Sequence, residues 1–248
     1  MSELGRFHST AHAIIEMFEG AVSNVEVPPD TEWAECAACL MLTSFEQFHA
    51  ALHLIDAKLA SHAAGPVRSM LEGLADLLNL CADPEYFHTM RYNSARENVA
   101  LFEDFKKNTG IPDEVTQALA EWDARDRPIR DELKPEMKRR GDHDLKLADK
   151  LNRVGLSSVY AMYRLLCAFV HPNLTSLKAR HRMSANILQY RAETQPQVVA
   201  MLYPIAVDLL CRCMSEVYKF TNLSQSEVDA ITAKAVALWH EVDPGCKD

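Results

Sequence analysis

From Val67 to Cys81 the apolar residues Val67, Met70, Leu71, Leu74, Leu77, Leu78 and Cys81 recur three and four positions apart. That spacing lays them along one side of an α-helix. The same pattern returns elsewhere. Phe7, Ile14, Ile15 and Phe18 predict a helix over residues 2–22, and Leu40, Leu42, Phe45, Phe48, Leu52 and Ile55 a long one over 32–62. No run of alternating β-branched residues reads as a strand. Only 8 of the 248 residues are glycine, so there are few sharp turns to separate the elements. The fold class expected is all-α.

Breaks in the pattern set the helix boundaries. Val27-Pro28-Pro29-Asp30-Thr31 ends the first helix and caps the second; Gly65-Pro66 separates the second from the third. Asp83-Pro84 opens a helix over about 85–107, and Asn108-Thr109-Gly110 stops it. Residues 111–125 look helical. Residues 126–150, dense in charge and containing Pro128, Pro135 and Gly141, read as an exposed helical excursion or partly mobile loop. The helix over 157–171 is apolar on most sides (Val159, Met162, Leu165, Leu166, Cys167, Phe169, Val170), which predicts a central place in the bundle. Pro172 disfavours helical geometry at His171 and should end it there. Helices over 197–221, with Pro204 inside, and 225–241 close the chain. The result is one domain over 1–248, a bundle of about eight helices. Its antiparallel core is expected from the helices near 32–62, 65–82, 85–107 and 157–171.

Composition narrows the function classes. Hydrophobic residues make up 48% and charged residues 25%, ordinary for a globular chain. A net charge of −9 repels phosphate backbones at long range, so nonspecific duplex binding is excluded as the main activity. Seven cysteines and a polar start, Met1 to His12, lead to the expectation of reduced thiols in a cytoplasmic protein without a secretory leader. No apolar stretch is read as approaching the roughly 20 residues that cross a bilayer, so no membrane partner is expected.

One stripe carries candidate chemistry. Residues seven apart on a helix differ by only about 20° in direction, so Arg164 and His171 face the same way. Ser157 and Tyr160 lie on that line, and the small Ala168 leaves room between the two cationic positions. An arginine on a central helix needs a carboxylate, a ligand or water. His171 stands at a helix C-terminus, where the dipole favours positive charge. An imidazole that moves a proton, beside a guanidinium that offsets charge on a phosphorane, suits metal-independent phosphodiester cleavage.

The element Arg164-Leu-Leu-Cys-Ala-Phe-Val-His171 resembles the arginine–histidine motif of the HEPN superfamily of helical bundles. Tyr163-Arg164, His171-Pro172-Asn173, Arg68-Ser-Met-Leu-Glu72 and Asp83-Pro84-Glu85 look like a bacterial family of unknown function thought to be HEPN-like. The resemblance spans roughly residues 40–180. Active HEPN motifs usually place a polar residue after the arginine, where this chain has Leu165. The resemblance implies an endoribonuclease or RNA-binding component of a toxin–antitoxin or phage-defence system. RNA and a cognate antitoxin or defence protein are its implied partners, and it would work as a homodimer without metal or cofactor. Arg164 and His171 would be catalytic. Tyr160, Asn173 and Ser157, with Lys178 and Arg180 from the basic run Lys178, Arg180, His181, Arg182 and Arg191, would bind substrate.

Each of these residues has a plainer reading. Arg164 can pair with Glu72 or another acid, and His171 can cap a helix end. Arg68 and Glu72, four apart, can bridge along their own helix rather than orient Arg164. A chain in which these pairings hold is a catalytically silent interaction module. A third reading is a metal-binding bundle. It rests on the Glu-x-x-His pairs Glu46/His49 and Glu85/His88 and on His49 with His53. Cys36-Ala-Ala-Cys39 has redox spacing but lacks a βαβ setting, and both cysteines are expected in the core.

Overall fold

A computed structural model describes residues 2–107, 110, 112–171, 174–184, 187–190 and 192–244, without the side chains of 175, 179 and 182–184. Ten α-helices account for most of it. They are α1 (Glu3–Val22), α2 (Glu32–Asp56), α3 (Ala60–Ala82), α4 (Tyr86–Lys106), α5 (Asp113–Arg140), α6 (Leu147–Arg153), α7 (Tyr160–Val170), α8 (Leu174–His181), α9 (Pro196–Ser215) and α10 (Gln225–Val242). Short 3-10 turns, Ser157–Val159 and Val217–Lys219, precede α7 and follow α9. The all-α expectation holds, with one addition. A small antiparallel pair, β1 (Arg182–Ser184) and β2 (Ile187–Leu188), follows α8.

Local chemistry explains most of the ends. The Ser2 side chain accepts from the Gly5 amide to cap α1. Ser224 and Glu227 form a reciprocal capping box on α10. Gly141, at φ 76°, supplies the left-handed residue that terminates α5. The α2–α3 boundary departs from expectation. The break falls at Ala57–Leu59, where Lys58 adopts φ 58°, and α3 then runs straight through Gly65-Pro66. Pro66 sits in the second turn, where one missing amide leaves the later hydrogen-bond ladder intact.

The core keeps two of the helices expected, α2 and α3, but takes α1, α9 and α10 in place of the helices over 85–107 and 157–171. Its buried residues come mainly from α1 (Phe7, Ile14, Ile15, Phe18), α2, α3, α9 (Leu202, Leu209, Leu210, Met214) and α10 (Val228, Trp239). Helix α1 lies antiparallel to α2: the Phe18 ring stacks near Phe45, the Glu19 carboxylate meets His49, and the Asp56 carboxylate meets His8. Helix α9 fills the centre. Its stretch Pro196–Lys219 is long and apolar enough to cross a bilayer by length and composition, which corrects the sequence expectation. Packing against α1, α2, α3 and α10 accounts for that apolarity.

Helix α4 was expected in the core. Beyond Met90 it instead leaves the main cluster and pairs with α5 as a long arm whose buried residues are Tyr92, Ala95, Val99, Leu119 and Met137. The segment expected as an excursion over 126–150 is ordered helix through Pro128 and Pro135, then a turn pinned by Asp142. The Asp142 carboxylate is buried and accepts from Arg153 (2.6 Å), Thr89 (2.8 Å) and Arg140 (3.3 Å). Burial alone would raise its pKa, but these hydrogen bonds outweigh it and hold the carboxyl below its ordinary 3.8. Thr89 ties the turn to α4 and Arg153 ties it to α6, so the arm's base is fixed.

Candidate functional site

Helix α7 was expected at the centre of the bundle and lies at its edge. It packs on α3, and of its residues Leu166 is fully buried. Ala161, Met162, Arg164, Leu165 and Ala168 are exposed, and so are Leu174 and Leu177 of α8. A helix of mostly apolar sequence therefore turns one side into the protein and another outward.

The pairing of α7 with α3 runs through Tyr163. Arg68 donates to Glu72 (2.8 Å) and to the Tyr163 hydroxyl (3.2 Å), with its guanidinium 5.3 Å from the Tyr163 ring centre. Burial, then hydrogen bonds with Cys167 and Glu72, raise the Tyr163 phenol to about 12. Tyr163 is thus a fixed neutral post at neutral pH. Arg68 and Glu72 bridge along their own helix and orient Tyr163, not Arg164.

Arg164 is exposed and makes no hydrogen bond or ion pair among the described residues. The expected alternative, a pairing with Glu72, is not formed; that carboxylate meets Arg68 instead. The helix ends at Val170, and His171 follows with φ −79° and ψ 138° as the C-cap, as Pro172 led one to expect. A residue's own ψ redirects only the chain after it, so the His171 side chain keeps the helical register of Arg164. His171 is exposed, and its ring has no partner among the described residues; its backbone carbonyl accepts from Ser176 (3.0 Å).

The other stripe residues divide. Tyr160 is half-buried and stacks on Tyr163 with ring centres 5.8 Å apart. Ser157 belongs to the 3-10 turn, and its hydroxyl is held by Asn152 Oδ1 at 2.9 Å. Asn173, with Arg191 and the side chain of Arg182, lies outside the described residues. Lys178 is exposed. Arg180 turns inward and donates to the carbonyls of Phe169 and Ser61, capping the last turn of α7. Its Nε is buried without a partner among the described residues. Arg180, His62, His181, Lys58, Ser61 and Tyr190 line a cavity of about 430 Å³ against the α2–α3 turn. Burial, then Arg180 and His181, hold the His62 pKa below its ordinary 6.5.

The proposed metal pairs are not assembled. His49 bonds Glu19 at 2.8 Å, and His88 sits 3.6 Å from Glu85 of its own pair. Cys39 is exposed rather than in the core, while burial raises the half-buried Cys36 thiol to about 11. Among the described residues, the histidine, cysteine and acidic side chains that do converge are His8, His12 and Asp56, which sequence reasoning missed. The four-residue step from His8 to His12 was a readable signal; Asp56 was not.

A family model described as a family of unknown function, DUF5677, matches residues 35–187. No curated protein and no solved structure matches the chain. The matched span takes in α2 to α8 and both Arg164 and His171, and leaves α1, α9 and α10, which supply much of the core, outside it.

Proposed function

We propose, from the premise that the chain belongs to DUF5677, a family of unknown function, that the C-terminal end of α7 is a site for cleaving RNA without metal. This is the reading that the HEPN resemblance implies. The observation that carries it is the pair Arg164 and His171, both exposed, on one helical line, with a guanidinium and a ring that have no partner among the described residues. An arginine already neutralised by an acid would be a poor phosphate ligand; Arg164 has its charge and donors to offer.

In this mechanism a phosphodiester lies along α7 with its phosphoryl oxygens on Arg164. His171 takes the 2′-hydroxyl proton as that oxygen attacks phosphorus. Arg164 offsets the added negative charge, the bond to the 5′-oxygen breaks, and water protonates the leaving group. The products are a 2′,3′-cyclic phosphate and a free 5′-hydroxyl. Tyr160 presents an aromatic face on which a base can stack. Lys178 and the basic cavity around Arg180 would draw in further phosphates in a chain whose overall charge is −9.

The test is cleavage of single-stranded RNA by purified protein in EDTA. His171→Ala is expected to lower the rate by about 10² to 10⁴ and Arg164→Ala to weaken it strongly, with unchanged circular dichroism. No cleavage by the folded protein, or equal cleavage by His171→Ala, rejects this function.

A second reading is favoured by a separate observation. Met162 and Leu165 of α7 and Leu174 and Leu177 of α8 are exposed large apolar residues on consecutive helices. Such exposure suits a catalytically silent interaction module that docks a protein partner, or a second copy of the chain, on α7 and α8.

A further inference from the structure

Helix α1 brings His8 and His12 to one face by their four-residue spacing, and the antiparallel α2 sets Asp56, its last residue, beside them. His8 Nε2 stands 3.2 Å from Asp56 Oδ1. The His8 and His12 rings meet edge to face with centres 4.5 Å apart. One donor atom from each of the three lies within 4.8 Å of the other two. For metal–ligand bonds near 2.1 Å, tetrahedral donors sit about 3.4 Å apart. The His8–Asp56 edge already has that length, and His12 needs a side-chain adjustment on the order of 1 Å.

We propose that His8, His12 and Asp56 form a binding site for a divalent transition metal ion of the zinc class.

Four observations support the site. Two imidazoles and a carboxylate are the donor set that zinc and its neighbours prefer over calcium or magnesium. His8 has a fixed tautomer partner: its Nδ1 lies 2.9 Å from the Tyr203 hydroxyl, which leaves Nε2 directed at Asp56. His12 has no hydrogen-bond partner among the described residues although it is half-buried, so its ring nitrogens are free to ligate. Burial and the neighbouring His8 also lower the His12 pKa, against Asp56 and Glu16, which favours the neutral, metal-binding imidazole.

Three protein ligands leave a tetrahedral ion one open position. His8 and Asp56 line a cavity of about 280 Å³ together with Lys58, Glu193, Thr194 and Tyr203, and that position would face it. The site is made by α1, α2 and α9, so it stands independently of the α7 proposal.

The experiment uses full-length, tag-free protein stripped with chelator, then titrated with zinc and, separately, cobalt. One equivalent of metal is expected after exhaustive dialysis, with the visible absorption of low-coordinate cobalt and a rise in melting temperature. His12→Ala is the decisive variant because His12 makes no hydrogen bond whose loss would unfold α1; it should weaken binding at least about 100-fold. Asp56→Asn should do the same, while Tyr203→Phe should lose about 10- to 100-fold. His49→Ala, on the neighbouring Glu19 pair, should retain one equivalent. No retained metal, or binding by His12→Ala equal to the unaltered chain, overturns the site; the latter result would place the ion on other ligands.

Discussion

Helices α7 and α9 are both apolar in sequence, yet they have opposite fates. In α9, residues from Val199 to Met214 are buried on several sides, and Leu210 is 0% exposed. In α7, Leu166 is sealed while Leu165, one residue away, is 41% exposed. The difference is in the neighbours. Helix α9 packs against α1, α2, α3 and α10, whereas α7 rests mainly on α3. An apolar helix in a sequence therefore announces only that something covers it. For α9 the cover is this chain; α7 leaves one side open, with Arg164 and His171 exposed on it.

Core and edge should respond to truncation very differently. Leu210→Ala is expected to cost about 3–5 kcal/mol, the range for a large cavity in a packed core. Leu165→Ala should change stability by less than about 0.5 kcal/mol. Urea unfolding at low protein concentration measures both. Equal costs would mean that α7 is packed far more tightly than its exposure shows, and the contrast would fail.

The same contrast holds among charges. The Asp142 carboxylate is buried with arginines around it, and Arg164 stands alone in solvent. Asp142→Ala should cost about 2–3 kcal/mol, somewhat below a fully buried pair because Arg153 and Arg140 keep partial access to water. Arg164→Ala should leave stability within about 0.5 kcal/mol. The sign with pH follows from the lowered Asp142 pKa. Its stabilisation is present above the ordinary 3.8 and is lost as pH falls through the lower folded value. Between pH 5 and pH 2 the unaltered chain should therefore lose more stability than Asp142→Ala. Parallel curves would remove Asp142 from the account of what fixes the arm.

The fold class was legible because periodicity is local: spacing within 67–81 is enough to fix a helix face. Helix ends were legible where the signal was also local, as at Asp83-Pro84 and His171-Pro172. The α2–α3 turn was not, because Lys58 carries no turn signature while Gly65-Pro66 carries a misleading one. Pairing between helices was the larger gap. Nothing within 85–107 says that α4 will pair with α5 instead of the core, and nothing near Asp56 says that it will meet His8. That meeting depends on the register of α1 against α2, set by packed residues such as Phe18 and Phe45. The α7 stripe was legible as a stripe. Its exposure was not, since apolarity on most sides reads as burial until the neighbours are known.

The smallest effect on the folded monomer should come from Leu165→Lys, and it sharpens the comparison most directly. Leu165 is exposed, so a lysine there meets water and should shift the melting temperature by no more than a degree or two. If α7 and α8 are covered in solution by a second copy, the same change places a charge in that contact beside another from the symmetry mate. In a two-fold interface each residue recurs on both sides, so one substitution acts twice. Sedimentation over a range of concentrations should then show the unaltered chain as a dimer and Leu165→Lys as a monomer of equal stability. RNA cleavage, if it needs the paired site, should fall with the dimer. A chain that is monomeric before the substitution rejects a second copy as the cover of the exposed Met162 and Leu165. It also leaves Arg164 and His171 to act from a single subunit.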